Sequence, residues 1–309
     1  MVKKLKHYKG FNINNKDRRS ILLIGNFDGL HLGHQKLFSL AKKYKKKYKC
    51  KIGVVTFEPM PKMYFNKDLK NFRISSLNQK NKIFKELSID FVITKKFDKN
   101  FSKISSSNFI SKILFKKLNA RYIFVSNNFR FGNKREGDIK ELLDNEKNFN
   151  FKIIKPSPLI IKNKTVSSTL IRKLLMKGDV YNTNKLLKRN WSIEGFVEKG
   201  REQGKKIGFP TCNIDIKDYV IAMPGVYAVR VYQRNKNYFL KGIANLGYRP
   251  TFNQKKILLE VHIFNFSGNL YNKHLSVEFI KFIRKEKKFK NANHLRTQIK
   301  SDLIVAKQS

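Results

Sequence analysis

From Ile21 to Val125 short apolar runs alternate with stretches of helical periodicity, and that alternation restricts the fold more than any other feature of the chain. Ile21–Ile24, Lys51–Phe57, Phe91–Thr94 and Tyr122–Val125 read as strands, with helices over Gln35–Tyr48, Leu77–Leu87 and Asn108–Leu118 between them. This order predicts a doubly wound parallel sheet, because a strand can return to a parallel neighbour only through a long crossover, usually a helix. A strand over Phe151–Ile154 and a helix from Ser168 complete that domain. After about Gly178 the pattern changes. Trp191–Glu198, Gly225–Tyr232, Tyr238–Asn245, Leu258–Phe264 and Leu275–Phe282 alternate like strands, with Arg234–Asn237 as a polar hairpin connection. They predict a small antiparallel β-barrel with a C-terminal helix around Ala292–Leu303. At 309 residues the chain has room for two cores. The expected domains are 1–182, α/β, and 183–309, β, with a linker between Asp179 and Lys188.

Ligands of such sheets gather beyond the carboxyl ends of the strands. The first strand runs directly into Gly25-Asn26-Phe27-Asp28-Gly29-Leu30-His31-Leu32-Gly33-His34. Glycines at a strand-to-helix turn let the backbone approach closely, and they aim N–H groups and the positive end of the helix dipole into the turn. Phosphate is the fitting occupant. One histidine alone is ordinarily a surface residue or a satisfied core residue. His31 and His34 in HxGH register, between glycines and after a strand, point instead to two imidazoles donating to phosphate oxygens. Later, Val166-Ser167-Ser168-Thr169-Leu170-Ile171-Arg172 opens an amphipathic helix. Hydroxyls at a helix start are common caps, but Arg172 one turn on would neutralise charge developing on a leaving pyrophosphate. The two segments describe nucleotidyl transfer by positioning and charge, without a covalent nucleophile.

The first half resembles the FMN adenylyltransferase module of the prokaryotic bifunctional riboflavin kinase/FAD synthetase family. The resemblance extends through Val54-Val55-Thr56-Phe57-Glu58-Pro59-Met60-Pro61 and Val125-Ser126-Asn127-Asn128-Phe129-Arg130-Phe131-Gly132, followed by Arg135, Gly137 and Asp138. It implies a nucleotidyltransferase domain of Rossmann-like fold, with catalytic roles for His31, His34 and Arg172. ATP contacts are implied at Gly25, Phe27, Asp28, Gly33, Ser167, Ser168 and Thr169. Pro59, Pro61 and Phe65 are implied to shape the flavin pocket, and Asn128 to contact the substrates. On pattern alone Phe57-Glu58-Pro59 is a strand ending in a Pro-rich loop. Ser126 stands where the family has glycine.

The second half carries its own motif, Gly204-Lys205-Lys206-Ile207-Gly208-Phe209-Pro210-Thr211-Cys212-Asn213. The Thr211 hydroxyl and the Asn213 carbonyl are hard oxygen donors suited to Mg²⁺, and the glycines before them leave N–H groups for phosphates. The segment resembles the glycine loop and PTAN motif of riboflavin kinases, with Cys212 as a small buried thiol in place of alanine. In Leu258–Phe264, Leu259, Val261 and Ile263 share one face while Glu260 and His262 share the other. Alternation alone describes a half-exposed strand with a solvated carboxylate. The resemblance implies that Glu260 is the base that takes the proton from the 5′-hydroxyl of the ribityl chain. Pro224–Tyr227, Gly242–Phe252 and Phe282–Glu286 match the family too. ATP contacts at Gly204, Gly208, Thr211 and Asn213, and a flavin contact at Arg284, are further implications. Asn269 and Asn272 stand where the family prefers Asp and Gly, and asparagine tolerates left-handed turn geometry.

Charge argues for a different class of partner. The chain has 67 Lys and Arg against 22 Asp and Glu, a net charge of +45, and a pI near 10.3, which ordinarily suggests nucleic acid. The lysines are spread along the whole chain with abundant Asn, Ile and Phe, as A+T-rich coding produces, and are not grouped with stacking aromatics. No specific nucleic-acid partner is expected, only salt-sensitive nonspecific attraction. Met1–Ser20 is basic and lacks the apolar segment of a secretory signal, and no membrane span is expected. Two cysteines far apart, Cys50 and Cys212, suit a reducing cytoplasm.

The expectation is an enzyme of FAD biosynthesis, monomeric or weakly self-associating. ATP with Mg²⁺, riboflavin and FMN are its expected substrates, and FMN and FAD its products. Two other readings stay open. A different HxGH nucleotidyltransferase fused to a binding barrel, acting on nicotinate mononucleotide or a phospho-alcohol, leaves the Pro-Thr-Cys-Asn segment and the Glu260 strand unexplained. A basic nucleic-acid-binding protein leaves the ordered motifs unexplained.

Overall fold

The computed structural model describes residues 4–200, 204, 207–233, 236, 238–250 and 255–309. Two compact units emerge: Met1–Lys70 with Leu77–Ser167, and Asn71–Ser76 with Ser168–Ser309. No helix among the described residues is long and apolar enough to cross a membrane.

The first unit is the doubly wound sheet. Its strands β1 (Lys6–Tyr8), β2 (Ile21–Ile24), β3 (Ile52–Glu58), β4 (Phe91–Lys96), β5 (Tyr122–Phe124) and β6 (Lys152–Ile154) run parallel in the order β1-β4-β3-β2-β5-β6. Both faces are covered, so the strands are apolar on both sides. Ile21 and Leu23 pack with Leu37, Phe38 and Ala41 of the helix Leu32–Tyr48. Leu22 and Ile24 pack with Ile110, Ile113 and Leu114 on the opposite face, where the helix expected over Asn108–Leu118 is π-wound across Phe109–Lys117. A two-stranded hairpin, β7 (Ile160–Ile161) and β8 (Lys164–Thr165), follows the sheet. Strand order reverses at β2, which has β3 on one side and β5 on the other. The Gly25–His34 turn and the Ser126–Gly132 loop therefore leave the sheet at its switch point, where ligands of open α/β sheets bind.

Strand β1 lies in the basic N-terminal stretch that carries no strand pattern. Buried Asp17 binds it: Lys6 Nζ (3.0 Å), Tyr8 Oη (2.6 Å) and Lys51 Nζ (2.6 Å) all reach its carboxylate. Burial alone would raise the pKa of Asp17, but the hydrogen bonds from Lys51, Tyr8 and Lys6 outweigh it and hold the carboxyl at about 2.

In the second unit β9 (Ser192–Glu198), β10 (Cys212–Asp215), β11 (Gly225–Gln233), β12 (Phe239–Pro250), β13 (Lys255–Ile263) and β14 (His274–Lys285) close an antiparallel barrel in the order β10-β13-β12-β11-β14-β9. Ile193, Ile214, Leu259, Val277 and Phe279 are fully buried in it. Outside, the C-terminal helix Ala292–Lys307 lays Ala306 and Leu303 against Val226, Ala228 and Ile243. Most of the expected hairpin Arg234–Asn237, with Lys205, Lys206, Thr251 and Phe252, lies outside the described residues.

The stretch Asp179–Lys188, expected as a linker, is instead the helix Val180–Leu187. Asp179 caps it, its Oδ1 accepting from Asn182 N–H at 3.1 Å. Val180, Thr183, Leu186 and Leu187 are buried, a helical spacing disguised by the polar residues between them. The sequence-expected boundary 182/183 falls within this helix, whereas the compact units part at Ser167/Ser168.

The hexapeptide Asn71–Ser76 belongs to the barrel unit although it interrupts the first unit in sequence. Arg73 N–H donates to Asp218 O (2.8 Å), Val220 N–H to Arg73 O (2.7 Å) and Trp191 Nε1–H to Ile74 O (3.0 Å).

Candidate active sites

The turn after β2 is built from left-handed backbone: Phe27 (φ 48°), Gly29 (φ 81°) and Leu30 (φ 41°). Three such residues fold the chain back tightly enough to start a helix at Leu32, with His31 as its N-cap. That start is three residues earlier than the periodicity suggests, because Leu32, Gly33 and His34 lack a continuous apolar stripe. The His31 and His34 rings stack at 3.8 Å with 22° between their planes, and Phe27 meets His34 edge-on at 5.3 Å. His31 is buried and His34 half-buried. The two imidazoles are thus one rigid unit in the first turn of a long helix, whose N-terminal N–H groups favour an anion.

Gly33 is required by close approach. A Cβ there would stand 3.0 Å from the Val166 carbonyl oxygen and 3.1 Å from His31 Nδ1. Its absence brings the chain just before Ser167 against the histidine pair. Gly25 N–H donates to Val55 O (3.0 Å), tying the start of the turn to β3. Asp28 is buried in the same turn.

The residues implied for the flavin lie at the ends of β3 and β5. Pro59 follows β3, Pro61 starts the short helix Pro61–Phe65, and Phe65 is 64% exposed. Tyr64 and Phe97 pack edge-on against Phe65 at 5.2 and 5.6 Å. Asn128 pairs with the Ser126 hydroxyl at 2.9 Å and lines a cavity of about 350 Å³ with Phe129, Arg130, Arg135 and Asp138. Ser126 thus gives the amide a partner that glycine would not. Ser168, Thr169 and Arg172 belong to the second unit. There Arg172 Nε–H donates to Phe72 O at 2.8 Å, with the guanidinium 3.6 Å over the Phe72 ring.

In the barrel, Gly204 and Gly208 frame a closed turn. Phe209 N–H donates to Gly204 O at 2.8 Å, and a Cβ on Gly204 would lie 2.4 Å from Phe209 O and 3.3 Å from Thr211 Oγ1. Gly208 has φ +87° with open space around it. The turn feeds β10, where register fixes the site. Asn213 is the cross-strand partner of Glu260 on β13 and of Glu198 on β9, and Glu260 is the partner of Asn245 on β12. Direct partners share a face with Cβ atoms roughly 4.5–5.5 Å apart, so Glu198, Asn213, Glu260 and Asn245 form one polar row across four strands. Asn213 is buried, and among the described residues its Oδ1 has no hydrogen-bond partner. A buried amide oxygen of this kind is a fitting Mg²⁺ ligand. Cys212 points the other way into the barrel, where burial pushes its thiol up to about 11 and leaves it unreactive at neutral pH.

Arg284 is committed within the barrel unit. Its Nε and Nη2 donate to the Asp302 carboxylate at 2.7–3.0 Å, and Gln298 donates to the same group at 2.9 Å. The pair bolts β14 to the C-terminal helix.

The sequence marks no role for Lys80, and it places Asn245 in a matching segment and His262 beside Glu260 without giving either a role. Lys80 is fully buried and donates to Asn26 O at 3.3 Å, behind the His31 turn. Its spacing to Leu77 and Phe84 sets it on the apolar stripe of its helix, a signal readable without the structure. Asn245 becomes visible only through strand register.

A family model described as FAD synthetase matches residues 13–170, and one described as riboflavin kinase matches residues 187–309. Bifunctional riboflavin kinase/FMN adenylyltransferases are similar over nearly the whole chain. That of Buchnera aphidicola subsp. Schizaphis graminum is 39% identical over 96% of each chain. That of Escherichia coli strain K12 is 34% identical over 93% of this chain and 92% of the relative. That of Bacillus subtilis strain 168 is 31% identical over 94% and 92%. A solved structure described as a macrolide-efflux protein from Streptococcus pneumoniae superposes with a TM-score of 0.86 at 27% identity, covering 98% of both chains.

Proposed function

The chain belongs to the bifunctional riboflavin kinase/FMN adenylyltransferase family, and from that premise we propose which residues carry each step. The C-terminal module phosphorylates riboflavin to FMN, and the N-terminal module adenylylates FMN to FAD.

In the kinase module the Glu260 carboxylate accepts the proton of the ribityl 5′-hydroxyl as its oxygen attacks the γ-phosphorus of ATP and ADP leaves. Gly204 and Gly208 offer their amides to the phosphates. Thr211 and Asn213 hold Mg²⁺, which when bound neutralises phosphate charge. The observation that carries this reading is the buried Asn213 Oδ1, without a hydrogen-bond partner among the described residues, on a residue in direct register with Glu260. Arg284, held by Asp302, orders the end of β14 where the flavin contact was expected.

In the adenylyltransferase module a phosphate oxygen of FMN attacks the α-phosphorus of ATP and pyrophosphate leaves. His31 and His34 donate to the phosphates from the helix start, and Gly25, Phe27, Asp28, Gly33 and Ser167 shape the cradle. Pro59, Pro61, Phe65 and Asn128 receive the flavin. Arg172 is assigned by its motif to the charge developing on the leaving pyrophosphate, and Ser168 and Thr169 to ATP. Small molecules are the only specific partners, and two buried free thiols accord with a cytoplasmic enzyme.

Pure protein incubated with riboflavin, ATP and Mg²⁺ gives FMN first and FAD second, resolved by chromatography, and a chelator stops the first step. FMN formation undiminished by chelation would remove Thr211 and Asn213 as metal ligands.

A further inference from the structure

His262 shares a face of β13 with Glu260, yet neither step above uses it. Its Nδ1 lies 2.8 Å from the Pro210 carbonyl oxygen, and Phe209 meets its ring edge-on at 5.7 Å and 88°. A carbonyl can only accept, so Nδ1 carries the proton in this contact. The position of Pro210 explains why the contact matters. On one side Phe209 N–H is tied to Gly204 O, and on the other Cys212 begins the pairing with Val261. Proline has no N–H of its own. Its carbonyl is therefore the handle by which the backbone between the glycine turn and Thr211 can be held.

We propose that His262 is a positioning residue of the kinase site. It clamps the Pro210 carbonyl and thereby sets Thr211 and Asn213 at their working distance from Glu260 before nucleotide arrives. The inference rests on the reading that the Gly204–Asn213 turn holds Mg·ATP. A turn fixed in advance binds without having to be ordered at that moment, and a misplacement of a single ångström is costly in such sites.

The test compares three variants of the full-length protein. His262→Phe keeps an aromatic ring against Phe209 and loses the donor. It raises the KM for Mg·ATP in riboflavin phosphorylation by about tenfold, the worth of one net hydrogen bond, with the riboflavin KM and FMN adenylylation unchanged. His262→Asn places an amide N–H the same number of bonds from Cα as Nδ1 and restores the wild-type KM. His262→Gln carries its amide one bond too far and behaves like the Phe variant. Calorimetric binding of Mg·ADP follows the same order without catalysis. Equal nucleotide KM values for wild type, Phe and Gln variants overturn the inference, as does a loss that Asn fails to rescue. If the Phe variant does not fold, the Asn and Gln pair decides alone. Thr211→Ala separates the two levels: if it leaves the nucleotide KM unchanged, the assignment of the turn itself fails.

Discussion

On the residue roles proposed above, the two units hold a nucleoside triphosphate in opposite ways. The proposed phosphate cradle of the sheet unit centres on one unbroken turn, Gly25–His34, in which three left-handed residues, a histidine stack and a helix start follow one another in sequence. In the barrel the proposed site is assembled by register, from Asn213 on β10 and Glu260 on β13, with Asn245 on β12 beside them. A contiguous site is fixed by local geometry. A register site exists only once the barrel has closed, and a one-residue slip would turn its polar row to the other face.

Reciprocal substitutions break or sharpen this contrast. The largest effect is expected from Glu260→Gln, which lowers riboflavin phosphorylation by about 10²–10⁴ and leaves FAD formation from supplied FMN intact. Unchanged kinase turnover would return Glu260 to a solvated strand carboxylate. His34→Ala is the mirror case: FAD formation falls by about 10²–10³ while FMN formation persists. Equal loss of both activities in either folded variant would mean that the sites are not separate.

Stability offers a second pair. Asp302→Ala strands the half-buried Arg284 guanidinium and should cost about 3 kcal/mol. The chain has a single tryptophan, Trp191, and it lies buried in the barrel unit, so its fluorescence in urea reports that loss. The smallest effect concerns Asp17 in the other unit. Its folded pKa lies below the unfolded value, so the ionised form favours the fold. The contribution is complete above about pH 4 and disappears as pH falls through about 2. It amounts to about 2 kcal/mol. Acid titration of urea unfolding, followed by far-ultraviolet dichroism, should show this window in wild type and lose it in Asp17→Asn.

What was legible in the sequence follows the same division. The HxGH turn, the strands β2 to β5 and the glycine turn could be read because their signals are local. Strand β10 escaped because four residues after a Gly- and Pro-rich stretch read as loop until β9 and β13 are seen on either side of them. The helix Val180–Leu187 was passed over because Asn182, Asn184 and Lys185 suggest a linker. Asn184 is in fact a structural hub, bonding Asn190, Phe279 O and Trp191 N–H. Strand β1 depends on Asp17, whose three partners come from two separate segments. Arg284 showed its charge in the sequence, and only the fold shows Asp302 against it.

The hexapeptide Asn71–Ser76 gives the order of synthesis a physical meaning. On a ribosome adding about 5–20 residues per second, Arg73 emerges 145 residues before its partner Asp218, a wait of about 7–30 s. Early in that interval the first unit can close around its own sheet, before Arg172, Trp191 and Asp218 have been made to meet the hexapeptide. The chain crosses from one unit to the other at three points. No single peptide-bond cleavage parts them cleanly, and a protease nicking the chain near Ser167 would leave the halves joined through residues 71–76.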